Sequence, residues 1–128
     1  MIVVDCSIVV DALTSIDGRA ASDVLAGNRL AAPHLLDSEV VSTVRGLVLG
    51  GHIGAHRGRD VLDLYDELPV ARWASARDLR RRAFALRDNF SAYDAAYVAL
   101  AESLQAPLAT RDLRLARAAD GLVDVLVA

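Results

Sequence analysis

The stretch "IVVDCS", residues 2–7, runs three apolar residues into Asp5, with Cys6 and Ser7 behind it. Three consecutive apolar residues read as a short buried strand. An acid at the end of such a strand has two readings. Asp and Ser both open helices well, so Asp5 can cap the segment that follows, and Ser7 is a second possible N-cap. The carboxyl end of a buried strand is also where open α/β sheets keep their ligands. Which reading holds depends on what the rest of the chain brings to the same end of the sheet.

Outward from this stretch, strand and helix signals alternate. "SIVVDAL" (7–13) reads as a first helix, and "GRAASDVLAG" (18–27) as a short helix closed by Gly27. "LAAP" (30–33) is a second strand stopped by Pro33. From 35 to 49, Leu36, Val40, Val44, Leu47 and Val48 share one helical face, and Gly50 and Gly51 end that helix. A helix is expected over about 57–68, a strand over 69–74 and a helix to about 87 capped by Ser75. Ser91 opens a helix to about 103, "APLAT" (106–110) is a strand, Asp112 starts a short helix, and "VDVLV" (123–127) closes as a strand. Strands alternating with helices imply a mostly parallel sheet covered on both faces. The fold class expected is three-layer α/β/α in a single domain over 1–128, a length that suits one domain.

Four acids stand at telling positions. Asp5 and Asp112 follow the carboxyl ends of two strands, and would converge if those strands are neighbours where the strand order reverses. Glu39 borders the apolar arc of its helix, beside Thr43 and Gly46. Asp94 lies one turn into "SAYDAAYVALAES", whose alanines allow close approach to a neighbour. Each has a plainer explanation alone. Ser91 and Asp94 fit a capping box, Asp112 fits an N-cap, and Glu39 fits a solvated position. The four together carry the weight.

Composition narrows the chemistry. Hydrophobic residues make up 54% and aromatics 5%, so the core is mostly Ala, Val and Leu. All 14 basic residues are Arg, which removes the P-loop lysine, Schiff-base chemistry and lysine-assisted phosphoacceptor sites. A single cysteine, Cys6, excludes an internal disulfide and a multi-cysteine zinc site. "MIVVD" has no signal-peptide pattern and no stretch approaches a membrane span, so a cytoplasmic protein with no membrane partner is expected.

In order, "VVDCS" (3–7), "PHLLDSEVVSTV" (33–44), "SAYDAAYVALAE" (91–102) and "LATRDLRL" (108–115) make the chain resemble a PIN-domain ribonuclease, and more narrowly a VapC-type toxin of a bacterial toxin–antitoxin pair. The segment from about 50 to 87 matches in general character alone. The resemblance implies a five-stranded parallel sheet, a metal-dependent endoribonuclease acting on RNA, and usually a homodimer. It also implies a cognate VapB-type antitoxin whose tail blocks the acidic pocket. It makes Asp5, Glu39, Asp94 and Asp112 the catalytic acids and ligands of Mg²⁺ or Mn²⁺, with Ser7 and Thr110 as supporting polar residues. Asp11 and Asp37 lie near these motifs but are not assigned to the site.

The chemistry agrees. Four anions crowded into a low-dielectric pocket must protonate or bind a cation, and a hard divalent ion suits carboxylate oxygen. Setting these four aside leaves 13 acids against 14 arginines, so the net charge of −3 does not argue against an RNA substrate. Arg72, Arg77, Arg80, Arg81, Arg82 and Arg87 form a cluster that either contacts phosphates or pairs with Asp78 and Asp88 on a solvated helix face. Two other functions stay open: a metal-dependent phosphatase or phosphotransferase, and a non-catalytic acidic module that receives an Arg-bearing peptide. His52 and His56 have the spacing of a zinc pair but no evident third ligand. Cys6 reads as a small buried hydrophobe, and Tyr93, Tyr97 and Trp73 as packing residues.

Overall fold

The alternation seen in the sequence builds a sheet in which every strand runs the same way. A computed structural model describes residues 1–15 and 18–128. Its strands are β1 (Ile2–Val4), β2 (Leu30–Pro33), β3 (Val70–Trp73), β4 (Leu108–Thr110) and β5 (Val125–Val127). They are ordered β3-β2-β1-β4-β5 and pair in parallel throughout, so the sheet is wholly parallel. The helices between them are α1 (Cys6–Thr14), α2 (Arg19–Gly27), α3 (Leu35–Leu49), α4 (Ala55–Glu67), α5 (Arg77–Ala85), α6 (Ala92–Leu104) and α7 (Leu113–Ala119).

The strand order decides the layers. Right-handed crossovers from β1 to β2 to β3 put α1–α4 on one face, and the return through β4 to β5 puts α5–α7 on the other. Accordingly α1 packs on α2, α3 and α4, while α6 packs on α5 and against β1, β2 and β4. The chain reverses direction between β1 and β4, which is where Asp5 and the segment after Thr110 emerge.

The core is aliphatic, as the composition requires. Ile8, Leu36, Leu100, Leu108 and Leu115 are fully buried, each stabilising the fold by roughly 1.5–3 kcal/mol. Buried Ala95, Ala99 and Ala101 let α6 lie close to its neighbours. Gly51 leaves α3 at a φ of 77°, a left-handed turn that glycine adopts without strain.

Several boundaries differ from the sequence reading. The first helix begins at Cys6 with Asp5 as its cap, so Ser7 lies inside the helix and is not its N-cap. The Asp5 carboxylate takes the Ile8 amide instead. Helix α4 starts at Ala55, two residues earlier than expected. Helix α5 is capped by Ala76 with no side-chain bond, so Ser75 is not its cap, and it ends at Ala85. Strands β4 and β5 are each two residues shorter than expected.

Candidate active site

Asp5 sits at the junction the first strand creates. It is 5% exposed and, with fully buried Thr110, is one of two buried polar side chains among the described residues. Its Oδ1 accepts from the Ser7 hydroxyl at 2.6 Å and from the Ile8 amide at 3.2 Å. Its Oδ2 accepts from the Thr110 hydroxyl at 2.5 Å. Ser7 also takes the Arg111 amide at 2.9 Å, and Thr110 takes the Asp112 amide at 3.0 Å. Thus β1, α1 and the turn after β4 are tied together around one carboxylate. Both readings of Asp5 hold at once: it caps α1 and faces the reversal point.

The other three acids arrive from different elements. Glu39 on α3 is half-buried and its Oε1 accepts from the Tyr97 hydroxyl of α6 at 2.5 Å. That bond reaches from a helix of one layer to a helix of the other. Asp94 receives only half of a capping box, because the Ser91 hydroxyl accepts its amide at 3.1 Å. Its carboxylate turns instead to Arg114, at 3.3 Å. Asp112 caps α7 by accepting the Arg114 and Leu115 amides, and its second oxygen lies 3.5 Å from the Arg114 guanidinium.

These acids feel one another. Burial pushes Asp5 above its ordinary value, hydrogen bonds from Ser7, Thr110 and Ile8 oppose the rise, and the charge of Asp112 adds to it. Burial likewise raises Glu39, against the Tyr97 hydrogen bond and with the charges of Asp94 and Asp5 adding to it. Asp5 is thus within electrostatic reach of Asp112, and Glu39 of Asp94 and Asp5.

The donors fit a hard cation in kind, since every group is a carboxylate or hydroxyl oxygen. The fit in position is incomplete. Among the described residues, no three Asp, Glu, His or Cys side chains are arranged to hold an ion as they stand. Each acid has turned to a protein partner, and the Arg114 guanidinium stands between Asp94 and Asp112 where positive charge is called for. Arg114 is 74% exposed, so this cation is held loosely.

Two contributors escaped the sequence reading. Tyr97 is buried like a packing residue, yet its hydroxyl holds Glu39. Its position three residues after Asp94 puts both on one side of α6, a signal the reading of Tyr97 as a packing residue passed over. Arg114 had a weaker signal, an arginine two residues past Asp112. The remaining candidates lie elsewhere. Asp11 pairs with Arg111 at 3.0 Å, and Asp37 accepts from Tyr65 and Arg72. His56 stands 3.6 Å from Asp60 on α4. Burial pushes the Cys6 thiol up to about 11, so it stays protonated at neutral pH and is a poor nucleophile.

Comparison with known proteins follows the same lines. A family model described as PIN domain matches residues 2–121. Ribonuclease VapC9 of Mycobacterium tuberculosis is 46% identical over 115 residues, covering 90% of this chain and 88% of that protein. Ribonuclease VapC1 of the same organism is 42% identical over 125 residues, covering 94% and 91%. The crystal structure of VapBC2 from Rickettsia felis, bound to a DNA fragment from their promoter, has the same fold at a TM-score of 0.70. It is 15% identical and covers 99% of this chain and 98% of that one. With a family model matching residues 2–121 and relatives more than 40% identical over at least 88% of each chain, the chain belongs to the PIN-domain family, among the VapC-type ribonucleases.

Proposed function

We propose that this chain is a divalent-metal-dependent endoribonuclease that hydrolyses RNA phosphodiester bonds, working in the cytoplasm as the toxin of a VapBC-type pair. The observation that carries the reading is geometric: Ser7 and Thr110 tie Asp5 to the turn that carries Asp112, Arg114 touches both Asp112 and Asp94, and Tyr97, one turn beyond Asp94 on the same helix, holds Glu39. Acids gathered from four separate segments at one end of a sheet suit a shared cation. Asp5, Glu39, Asp94 and Asp112 would hold Mg²⁺, with Mn²⁺ as the alternative. Such an ion, when bound, supplies Lewis acidity toward phosphate and water oxygens.

The chain's own residues do the positioning. Ser7 and Thr110 fix both oxygens of Asp5, and Tyr97 fixes one oxygen of Glu39 and leaves the other free. Hydroxyl donors of this kind hold a carboxylate ionised and aimed, as the outer partners of metal ligands do. Whichever acid keeps a free oxygen can accept a proton from the attacking water. The partners that complete the proposal are an RNA substrate, a VapB-type antitoxin and a second copy of the chain, with residues 1–128 forming one domain. Among the described residues, no helix is long and apolar enough to cross a membrane.

The test is cleavage of total cellular RNA with Mg²⁺ and with a chelator, mapped at the cut ends. Discrete new ends that vanish with the chelator are expected. Intact RNA in the presence of both Mg²⁺ and Mn²⁺ would remove the nuclease reading. The bridging Arg114 favours one other reading, a non-catalytic acidic module that receives a guanidinium. Divalent-ion titration separates the two, because the module binds no ion.

Arg114 also yields its own expectation. Its guanidinium competes for the charge between Asp94 and Asp112. Arg114→Ala should tighten divalent-ion binding about two- to fivefold by calorimetry, the range an exposed ion pair commands. Weaker ion binding in the variant would mean that Arg114 supports the site and does not compete for it.

A further inference from the structure

The turn between β4 and α7 carries Asp112, yet apolar packing does not hold it. Thr110 before it and Leu115 after it are buried, while Arg111, Leu113 and Arg114 are exposed and Asp112 is half-buried. Leu113, the apolar side chain of this stretch, is 56% exposed. Polar contacts must therefore fix where the Asp112 carboxylate stands. Thr110 accepts the Asp112 amide, and the Asp112 side chain accepts the Arg114 and Leu115 amides. Those bonds are local to the turn and α7, and they do not set its distance from α1.

That distance is set through Arg111. Helix α1 carries Ser7 and Asp11 four residues apart, hence on one face. The Ser7 hydroxyl accepts the Arg111 backbone amide at 2.9 Å, and Asp11 Oδ2 accepts from the Arg111 guanidinium at 3.0 Å. Successive turns of one helix thus grip a single residue at its backbone and at the tip of its side chain. A single hydrogen bond is a pivot, whereas two well-separated ones fix an orientation. Ser7 is also the hydroxyl that donates to Asp5 at 2.6 Å, so the same helix face serves both acids. Asp11 is itself closely packed. A Cβ on Gly18, the residue that opens α2, would stand 2.6 Å from the Asp11 carbonyl oxygen and 3.1 Å from its Oδ2.

We propose that Asp11 and Arg111 are positioning residues that, with Ser7, clamp the turn after β4 onto α1 and so set the spacing of the Asp5 and Asp112 carboxylates for a shared divalent ion. The inference rests on the reading of these acids as an ion site. Neither side chain touches the ion or the substrate in this role. Asp11 acts on Arg111, and Arg111 acts on Asp112 through the backbone they share. Mg²⁺ demands near-ideal geometry at about 2.0–2.1 Å, so a small drift of the turn costs affinity. As a contribution to stability the pair is minor, because both partners are partly exposed, at 42% for Arg111 and 21% for Asp11. Its placement, and not its strength, gives it a part in the site.

The test measures Mg²⁺ and Mn²⁺ binding to the full-length chain by calorimetry, without RNA, alongside thermal unfolding. The variants are Asp11→Asn, Arg111→Gln, Arg111→Lys and the Asp11→Asn, Arg111→Gln double variant. Ion affinity should fall about tenfold in Asp11→Asn and in Arg111→Gln, the lower end of what removing an outer partner of a metal ligand costs. The double variant should lose no more than either single one, because the two residues act as a unit. Arg111→Lys keeps a charge that reaches Asp11 and should recover most of the affinity. Thermal midpoints should move by no more than about 4 °C, as for an exposed ion pair. In RNA cleavage the same variants should lower kcat and leave KM nearly unchanged. Arg111 is exposed, so Arg111→Gln gives the answer even where Asp11→Asn does not fold. Full ion affinity in the folded variants, whatever the change in midpoint, makes the pair a contact of the fold alone and overturns the clamp. Additive losses overturn it as well, because the residues would then act separately. Tenfold losses in a chain that cuts no RNA sustain the clamp and remove the nuclease reading. An unaltered chain that binds neither ion removes the ion site, and the clamp with it.

Discussion

Asp94→Asn is expected to lower RNA cleavage by more than about 10²-fold and to abolish growth inhibition while the fold survives. Losing an outer partner of a metal ligand already costs 10- to 100-fold, so losing a ligand's charge should exceed that. The fold survives because the cap of α6 does not use the Asp94 carboxylate. Ser91 accepts the Asp94 backbone amide, which asparagine retains. What the substitution removes is the loose contact with Arg114, a residue already 74% exposed. The measurement pairs a cleavage assay with thermal unfolding. Full activity in a folded variant would strike Asp94 from the ligand set.

Leu36→Ala should carry the largest effect on stability, about 2–5 kcal/mol, read as a lower denaturant midpoint with little change in slope. Leu36 is fully buried on α3 in a core of small side chains. Alanine there leaves a cavity that a core of buried, small side chains, Val40 one turn along the helix among them, is poorly able to fill. Natural domains hold only about 5–15 kcal/mol in total, so this loss is a large share. Glu39 lies one turn further along the same helix, so loosening α3 should also weaken divalent-ion binding. A loss below about 1 kcal/mol would show that α3 is not anchored through this side chain.

Local chemistry was legible in the chain. The helix over 35–49, with its end at Gly50 and Gly51, follows from its own periodicity and its glycines. The caps at Ser91 and Asp112 follow from residues three or fewer positions away. The cap at the first junction stayed open between Asp5 and Ser7 because both are good caps; the structure gives it to Asp5, which accepts the Ile8 amide, with Ser7 and Thr110 donating to the same carboxylate. Similarly, the helix start at Ala55 and the uncapped start of α5 had no strong local marker.

Sequence by itself determined the alternation of strands and helices, the parallel sheet that alternation demands, and acids at the ends of the first and fourth strands. Those features rest on spacings of a few residues, where backbone geometry leaves little choice. Tertiary structure alone decided which partner each acid meets: Tyr97 for Glu39, Arg114 for Asp94, Thr110 for Asp5. It also decided that Arg77, Arg80, Arg81 and Arg87 are left without carboxylates. Side-chain partners across the chain depend on strand order and on how helices from opposite faces meet beyond the sheet, and no short-range pattern encodes that meeting.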